Sequence, residues 1–335
     1  MNIFHECYWT FLDAVRQTAD MIDVLVLGDV NPDLVLQGDL VPRFGQAEQL
    51  LDSADLVLGG SAAITAHALA RLGRRTRLAA AVGPDLFGRT ILDLLRAGGV
   101  DTDAIFVSKE LCTGLTVVLS RGHDRAILTH LGAISSLSAG QAEHQLAAAA
   151  RDGARHLHVS SYFLLGQLAG TLPHLLATAH SLGLTTSLDT NNDPSGQWNG
   201  LTEVLPELDY FLPNCAETLA VAARLTGESG DDVRWAATTI ARHGPTVVVK
   251  DGPRGALQVE PDGSVLYESG TPVSAVDTTG AGDIFNAAYL DSVLRGLGQH
   301  ECLRRATRAG ALSTQAVGGT AGQPTLQQLL PNTEG

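Results

Sequence analysis

The alternation of short apolar runs with helical segments is the feature that most restricts how this chain can fold. The run at residues 22–28 is almost continuously apolar and ends in glycine, which is typical of a central strand covered on both faces. Helical segments separate the β-type runs that follow, which lie at residues 76–82, 156–160, 185–189, 210–213 and 246–250. This order predicts an α/β fold with a doubly wound, mostly parallel sheet and helices on both faces.

Two stretches depart from this rhythm. Residues 34–58 and about 104–130 contain short β-type runs that glycine and polar residues interrupt, and they lack a long helical pattern. Ligands of open α/β sheets bind in the crevice beyond the carboxyl ends of the strands. We therefore predict that these stretches form a small β lid over the crevice, within one domain that spans residues 21–335.

Residues 1–20 differ in composition from the rest of the chain. Four aromatic residues fall within the first eleven positions, whereas aromatic residues make up only 5% of the whole sequence. Because Met21 directly precedes the first predicted strand, we hypothesise that Met21 is the natural start and that residues 1–20 are an extension that is not native. The alternative is an amphipathic helix that packs on the domain or on a neighbouring subunit. N-terminal sequencing of natively expressed protein distinguishes the two.

The charge of the chain limits its possible partners. A net charge of −14 argues against binding to nucleic acid or to an anionic membrane surface, and no apolar run reaches transmembrane length. A small anionic ligand would need a local positive site. The sequence contains two lysines, Lys109 and Lys250, so contacts with phosphate fall on arginine, backbone amides, a bound cation or one of these lysines.

The cysteines and histidines give little support to a metal centre or a disulfide framework. The four cysteines are widely spaced and form no Cys-x-x-Cys pair, so a reducing cytoplasm is the expected setting. His156 and His158 alternate along a predicted strand and could suggest a metal. No carboxylate or third histidine lies at a matching spacing, which favours a structural role.

The stretch from Asp277 to Asp283, Asp-Thr-Thr-Gly-Ala-Gly-Asp, opens an apolar helical segment. Gly280 and Gly282 leave no side chain in the way, so consecutive N–H groups can converge on an anion at the positive end of the helix dipole. Asp283 would then orient a substrate hydroxyl toward a bound phosphate and take its proton. The alternative is a glycine-capped helix whose first-turn aspartate serves stability alone.

This stretch resembles the C-terminal signature of the ribokinase-like (PfkB) carbohydrate kinases, and the resemblance covers roughly residues 23–330. It implies a ribokinase-like fold and ATP as the phosphoryl donor. It also implies that Asp283 is the catalytic base and that the amides of Gly280, Ala281 and Gly282 form the anion hole for the γ-phosphate.

The acceptor side of the crevice is expected at the end of the first strand. Asn31 and Asp33 follow that strand within Asn-Pro-Asp, which is also good turn chemistry. The resemblance favours both as substrate-binding residues. Gly59 and Gly60 open an Ala/Leu-rich helix and resemble the family's N-terminal signature, in which the diglycine backbone approaches the sugar. Ile64 stands where the family usually has asparagine, which removes one expected hydroxyl contact.

Polar residues that follow two later strands are candidates for the nucleotide side. Asp189 and Asn191 lie at the carboxyl end of one strand, in the expected metal–phosphate region. Asn214 and Glu217 begin a helix, and by themselves they are explained by a capping box. The resemblance implies instead an Asn-x-x-Glu motif that organises Mg²⁺ and its waters, and one carboxylate with waters suits this ion.

Two further sites depend on the resemblance alone. The segment with Lys250, Gly252 and Gly255 resembles the family's nucleotide-binding loop, although a plain hairpin turn also explains its glycines. Asp277 and Thr279 resemble a monovalent-cation site, which implies K⁺ as a further cofactor.

Together these features predict an ATP-dependent, Mg²⁺-requiring kinase that phosphorylates a hydroxyl, expected to be primary, of a sugar or nucleoside. Ribose, fructose, 2-keto-3-deoxygluconate and adenosine are all compatible acceptors. A Rossmann dehydrogenase is disfavoured because no Gly-x-Gly-x-x-Gly follows the first strand. The sequence also lacks the Gly-x-x-x-x-Gly-Lys-Ser/Thr motif, which excludes a P-loop kinase. Ile64 keeps open a non-catalytic binding or regulatory protein on the same fold. An exposed lid sheet would favour a homodimer.

Overall fold

The structure, a computed structural model, describes residues 21–45, 48–121 and 124–330, so the predicted extension at residues 1–20 lies outside the described residues. The strands are β1 (Val24–Leu27), β2 (Asn31–Gly38), β3 (Leu51–Gly59), β4 (Thr76–Val82), β5 (Ile105–Val107), β6 (Leu115–Arg121), β7 (Asp124–His130), β8 (His156–Ser160), β9 (Thr185–Asp189), β10 (Tyr210–Phe211), β11 (Thr246–Lys250), β12 (Gly255–Val259) and β13 (Val265–Ser269). The helices are α1 (Ser61–Arg71), α2 (Leu86–Ala97), α3 (Ala139–Arg151), α4 (Leu172–Ser181), α5 (Leu201–Val204), α6 (Cys215–Thr226), α7 (Val233–Ala241), α8 (Ala281–Leu294), α9 (Gln299–Ser313) and α10 (Leu326–Leu329).

The large sheet has nine strands in the order β13-β12-β11-β10-β9-β8-β1-β4-β5. The strands from β5 to β11 in this order pair in parallel, and β12 and β13 continue the sheet with antiparallel pairing. The predicted doubly wound, mostly parallel sheet is confirmed. The carboxyl ends of its parallel strands face one edge, where the predicted crevice lies.

Strand β1 shows why its sequence is apolar without interruption. Leu25 and Leu27 belong to one hydrophobic core, whereas Val24 and Val26 belong to a second core on the opposite face of the sheet. Successive side chains of a strand point to opposite faces, so a sheet with helices on both sides needs apolar residues at every position. All four residues are completely buried.

The second sheet has four strands in the order β3-β2-β6-β7 and forms the lid. Strand β2 starts at Asn31, four residues after β1 ends at Leu27, so the chain passes directly from the large sheet into the lid. One part of the predicted lid lies elsewhere: β5, within the stretch 104–130, pairs with β4 in the large sheet. The free edge of β4 offers unpaired backbone groups, and this short apolar run satisfies them.

Local capping signals fix several helix starts. Asp85 caps α2, and its carboxylate accepts a hydrogen bond from the N–H of Gly88 at 2.9 Å. Helix α1 has no side-chain cap of its own, but the carboxylate of Asp29 accepts from the N–H groups of Ser61 and Ala62 at 3.1 and 3.0 Å.

Within the described ranges, no helix has both the length and the apolar character that crossing a bilayer requires.

Candidate active site

Helix α8 begins at the edge of the crevice, and its start depends on glycine. Gly280 is the N-cap with a φ of 73°, a left-handed conformation that glycine adopts without a steric penalty. A Cβ at this position would lie 2.8 Å from Cα of Gly319 and 3.1 Å from Cγ2 of Ile64. Ile64, which is 3% exposed, therefore packs against the loops that form this helix terminus.

Two N–H groups in the first turn of α8, those of Gly282 and Asp283, are available to a ligand. The N–H of Ala281 donates to the carbonyl of Thr278 at 3.3 Å, whereas the described residues provide no acceptor for the N–H groups of Gly282 and Asp283. The helix dipole adds positive potential at the same point. This arrangement suits a phosphate group.

Asp277 holds the loop before α8 in place. One of its oxygens accepts from the N–H and the hydroxyl of Thr279 at 2.9 and 2.7 Å, and the other accepts from the N–H of Gly318 at 2.8 Å. Arg125 of lid strand β7 donates to the hydroxyl of Thr279 at 3.2 Å. The lid therefore contacts the loop that precedes the helix terminus.

Asp283 lies in the first turn of α8 and is 7% exposed. Burial raises the pKa of its carboxyl group well above the usual value, and the charge of Asp189 acts in the same direction. The charge of Lys250 opposes this shift. A carboxylate with a raised pKa is a stronger proton acceptor, as a general base for an alcohol requires.

Asn31 and Asp33 lie where the chain enters the lid, and both are buried. The amide of Asn31 donates to Oδ1 of Asp33 at 2.8 Å and to the hydroxyl of Thr116 at 3.1 Å. Burial raises the pKa of Asp33 to about 7, although the Asn31 hydrogen bond works against this. The charge of Asp29 raises the pKa of both Asp33 and Asp283, so Asp29 lies near enough to act on both of these predicted site residues.

The diglycine before α1 packs directly against Asp33. A Cβ on Gly59 would lie within 2.5 Å of all three carboxyl atoms of Asp33. Gly60 has a φ of 87°, and a Cβ there would lie 2.8 Å from the carbonyl oxygen of Asp29. The two glycines therefore let both aspartates approach the start of α1.

Asp189 and Lys250 form a buried ion pair at the carboxyl ends of β9 and β11. Nζ of Lys250 lies 2.5 Å from Oδ2 of Asp189 and 3.3 Å from Oδ1 of Asn286. The amide of Asn286 donates to the same Asp189 oxygen at 2.5 Å. A Cβ on Gly282 would lie 3.6 Å from Nζ of Lys250, so the ammonium group is adjacent to the helix terminus.

Asn191 is close to this pair, but its side chain is turned toward protein groups. Its backbone is left-handed with a φ of 53°, and its amide donates to the hydroxyls of Ser61 and Ser161 at 2.6 and 2.7 Å. Its N–H donates to Oδ1 of Asp189 at 3.2 Å. Asn191 thereby links the end of β9 to the start of α1.

Asn214 and Glu217 form the capping box that begins α6. The N–H of Glu217 donates to Oδ1 of Asn214 at 2.9 Å, and the N–H of Asn214 donates to Oε2 of Glu217 at 2.8 Å. Burial, with the nearby charge of Asp189, raises the pKa of Glu217 to about 7. The smaller part of this shift, which comes from the charge of Asp189, reflects a negative potential that a hydrated Mg²⁺ would relieve.

The loop after Lys250 joins β11 to β12, which pair in antiparallel fashion. Gly252 and Gly255 both have positive φ, at 55° and 118°. A side chain on Gly255 would overlap the carbonyl of Glu268 in β13. The local structure is therefore a hairpin turn, as the alternative to a nucleotide-binding loop predicted. The turn also begins directly after Lys250 in the sequence.

His156 and His158 are fully buried in β8 and contact hydroxyl groups. Ser187 lies 2.7 Å from a ring nitrogen of each, and Thr185 and Ser160 contact the remaining ring nitrogens. Burial lowers the pKa of His156 to about 3 and that of His158 to about 4, so both rings are neutral near pH 7. Across the described residues, no cluster of three His, Cys, Asp or Glu side chains suited to a metal occurs.

Sequence reasoning gave no role to several residues of the site. Asn286 follows Asp283 by three positions on a helix, so helical spacing alone would have placed both on one face. Thr116 and Arg125 lie on lid strands whose pairing a single sequence does not reveal. Asp29 was visible at the end of β1, but its contact with the start of α1 joins positions more than 30 residues apart.

Comparison with known proteins identifies the family of this chain. A model of the pfkB carbohydrate kinase family matches residues 21–326. The ribokinase of Bacillus subtilis (strain 168) is 28% identical over 312 residues, which cover 92% of this chain and 98% of the relative. The 2-dehydro-3-deoxygluconokinase of the same bacterium is 28% identical over 285 residues, which cover 81% of this chain and 85% of the relative.

The fold is also found among solved structures. An Escherichia coli structure determined in complex with ATP and Mg²⁺ superposes with a TM-score of 0.77 at 24% identity, covering 92% of this chain and 98% of the other. It shares the fold described above. Since the family model extends over almost all of the described residues and the relatives match along most of their length, the chain belongs to the pfkB family of carbohydrate kinases.

Proposed function

We propose that this carbohydrate kinase family member transfers the γ-phosphoryl group of ATP to a hydroxyl, primary in the simplest case, of a sugar or nucleoside. The observation that carries the proposal is the buried carboxyl group of Asp283 beside N–H groups at the start of α8 that have no acceptor among the described residues. Asp33 packs against the diglycine that precedes α1, and the charge of Asp29 raises the pKa of both Asp33 and Asp283. These observations support a proposed site that combines a base, an anion site and an acceptor site.

On the acceptor side, Asn31 and Asp33 are proposed to bind hydroxyl groups of the substrate, with the backbone of Gly59 and Gly60 beside them. Asp283 orients the attacking hydroxyl and takes its proton. Phosphoryl transfer has a loose transition state in most descriptions, so the hydroxyl need not be ionised early and its position matters most. The raised pKa of Asp283 supports its role as proton acceptor.

On the donor side, the amides of Gly280, Ala281 and Gly282 are proposed to bind the γ-phosphate and to stabilise the charge of the transition state. Lys250 and the loop with Gly252 and Gly255 are assigned to the nucleotide. The Asp189–Asn191 segment supports this region, because both side chains engage protein groups.

Two ions complete the proposed donor site. Asn214 and Glu217 would hold Mg²⁺ through water, and Mg²⁺ neutralises phosphate charge when bound. A relative in fold was determined with ATP and Mg²⁺, which supports this cofactor pair. Asp277 and Thr279 would hold K⁺. Each Asp277 oxygen already accepts from protein N–H or hydroxyl groups, so K⁺ would use the remaining lone pairs.

The acceptor is tested with a panel of ribose, fructose, 2-keto-3-deoxygluconate and adenosine, by measuring ADP release. With the acceptor that gives turnover, Asp283→Asn should lower kcat by about 10³-fold or more and leave ATP affinity nearly unchanged. Asp262→Asn, on an exposed turn, is the matched control. Near-normal turnover of Asp283→Asn would remove the assignment of the base.

The alternative is a non-catalytic sugar- or nucleotide-binding protein on the same fold. Ile64 motivated it, but this side chain packs against Gly280 and Gly319 and so supports the shape of the helix terminus. That contact favours the kinase. Binding of a panel sugar together with ATP, without release of ADP, would favour the alternative.

We also propose a cellular compartment and an oligomeric state for this protein. Cys112, Cys215 and Cys302 are free thiols in the described part of the chain, which suits a reducing cytoplasm. The lid exposes Leu56, Ile127 and Leu128, which suits a homodimer that covers this face. Sedimentation equilibrium tests the dimer, and a monomer at micromolar concentration would contradict it.

A further inference from the structure

We propose that Lys250 contacts the transferred phosphoryl group itself, and that Asp189 and Asn286 act as positioning residues that hold its ammonium group in place. This inference rests on the proposed kinase function and assigns a specific task within it. In this arrangement Asp189 does not contact the nucleotide and acts on it only through Lys250.

The first step is that the ammonium group has a fixed position. Lys250, Asp189 and Asn286 form a closed triangle of contacts at 2.5, 2.5 and 3.3 Å. The side chains of Lys250 and Asp189 are 12% and 2% exposed, and Asn286 is completely buried. A flexible lysine side chain loses little further entropy on binding a ligand when packing and two partners already hold it.

The second step is where this position lies. Asn286 is on α8, one turn after Asp283, so the triangle is attached to the helix whose N-terminus forms the anion site. Nζ of Lys250 lies 3.6 Å from the point where a Cβ of Gly282 would be. A larger residue than glycine at 282 would therefore begin to fill the space between the backbone amides and the ammonium group.

The third step concerns hydrogen-bond capacity. An ammonium group has three N–H donors, and the contacts with Asp189 and Asn286 use two of them. The third has no acceptor among the residues that the structure describes, and we assign it to a ligand beside Gly282. Asp189 has no comparable capacity, because Oδ2 accepts from Lys250 and Asn286, Oδ1 accepts from the N–H of Asn191, and the residue is 1% exposed.

The fourth step is charge. Burial lowers the pKa of Lys250. The charges of Asp189, Glu217 and Asp283 raise it by a larger amount, so the net shift of the pKa is upward. The lysine therefore remains an ammonium ion throughout the physiological pH range. A permanent positive charge beside helix-terminal amides suits the three oxygens of a phosphoryl group in transit.

The test uses five variants: Lys250→Met, Lys250→Arg, Asp189→Asn, the double variant Lys250→Met with Asp189→Asn, and Lys109→Met as control. Lys109 is the other lysine of the chain and is exposed. Calorimetry measures the affinity for ATP and for ADP, thermal denaturation measures Tm, and ADP release with the active acceptor gives kcat.

We expect Lys250→Met to weaken ATP binding at least tenfold more than ADP binding and to lower kcat about 100-fold. Asp189→Asn should lower both kcat and Tm, because it leaves a buried ammonium group without its counter-charge. The double variant should recover Tm relative to Asp189→Asn, since neither charge remains, while its kcat stays as low as that of Lys250→Met. Lys250→Arg should restore part of the ATP preference.

Two outcomes would overturn the inference. If the pair were only structural, the double variant would recover kcat together with Tm. If Lys250 contacted only the part shared by both nucleotides, Lys250→Met would weaken ATP and ADP equally. The nucleotide measurements need no acceptor, so an absence of turnover across the sugar panel would count against the proposed function and leave this comparison intact.

Discussion

The substitution Gly59→Ala isolates the contact between the diglycine and the acceptor carboxylate. The added Cβ would lie within 2.5 Å of all three carboxyl atoms of Asp33, whereas ordinary contact begins near 3.4 Å. The flexible partner is the Asp33 side chain, whose nearest oxygen at 2.0 Å must move by about 1.4 Å to reach that distance. A displacement of this size in a substrate-positioning group costs on the order of 100-fold in rate.

The assay compares kcat/KM for the acceptor, ATP affinity and Tm in Gly59→Ala and in Gly140→Ala. Gly140 lies in α3, and a Cβ there meets nothing within 4 Å, so this control adds the same methyl group without a clash. We expect kcat/KM to fall about 100-fold in Gly59→Ala. ATP affinity should stay close to normal, and overpacking should cost about 1–3 kcal/mol of stability.

A double-mutant cycle makes the test specific. If the alanine acts by displacing Asp33, then Asp33→Ala should have little further effect on kcat/KM in the Gly59→Ala background. Acceptor kinetics within threefold of wild type in a folded Gly59→Ala protein would refute the reasoning. So would fully additive effects of the two substitutions.

Three further predictions concern stability, each measured by chemical or thermal denaturation. Asp291→Ala should cost about 3–5 kcal/mol, because it leaves Arg74, only 10% exposed, without its buried partner. Asp93→Ala, which removes a carboxylate that is 80% exposed, should cost less than about 1 kcal/mol, and equal losses would contradict this account. His158 has a pKa of about 4 in the fold and near 6.5 when unfolded, so the unfolded state binds more protons below pH 6.5 and stability falls with acidification. At pH 5 this amounts to about 2 kcal/mol, which His158→Gln should remove from the pH dependence of unfolding.

Features that depend on neighbouring residues were predictable from the sequence. The strands follow from runs of apolar residues, and the capping box of Asn214 and Glu217 follows from a spacing of three. The start of α8 follows from Gly280, which can adopt a positive φ. In each case the physical cause acts within a few residues, so one sequence contains the information.

Features that join distant positions were not predictable in this way. The triangle of Asp189, Lys250 and Asn286 links residues that are 36 to 97 positions apart, and only the order of strands in the sheet brings them together. The contact of Arg125 with Thr279 depends on how the lid lies over the body. An apolar run does not reveal which sheet it joins, so the predicted lid wrongly included β5, which pairs with β4 in the large sheet.

The short passage from β1 into β2 gives the molecule a mechanical property. Asp29, Asn31 and Asp33 all lie on or beside this connection, so the residues proposed to bind the acceptor also lie where the lid joins the large sheet. If the proposed function holds, an outward movement of the lid would carry Asn31 and Asp33 away from Asp283, and a sugar bound to them would favour the closed lid. A sugar that fits poorly would then leave the lid open and expose the phosphoryl group to water, so closure would contribute to acceptor selectivity.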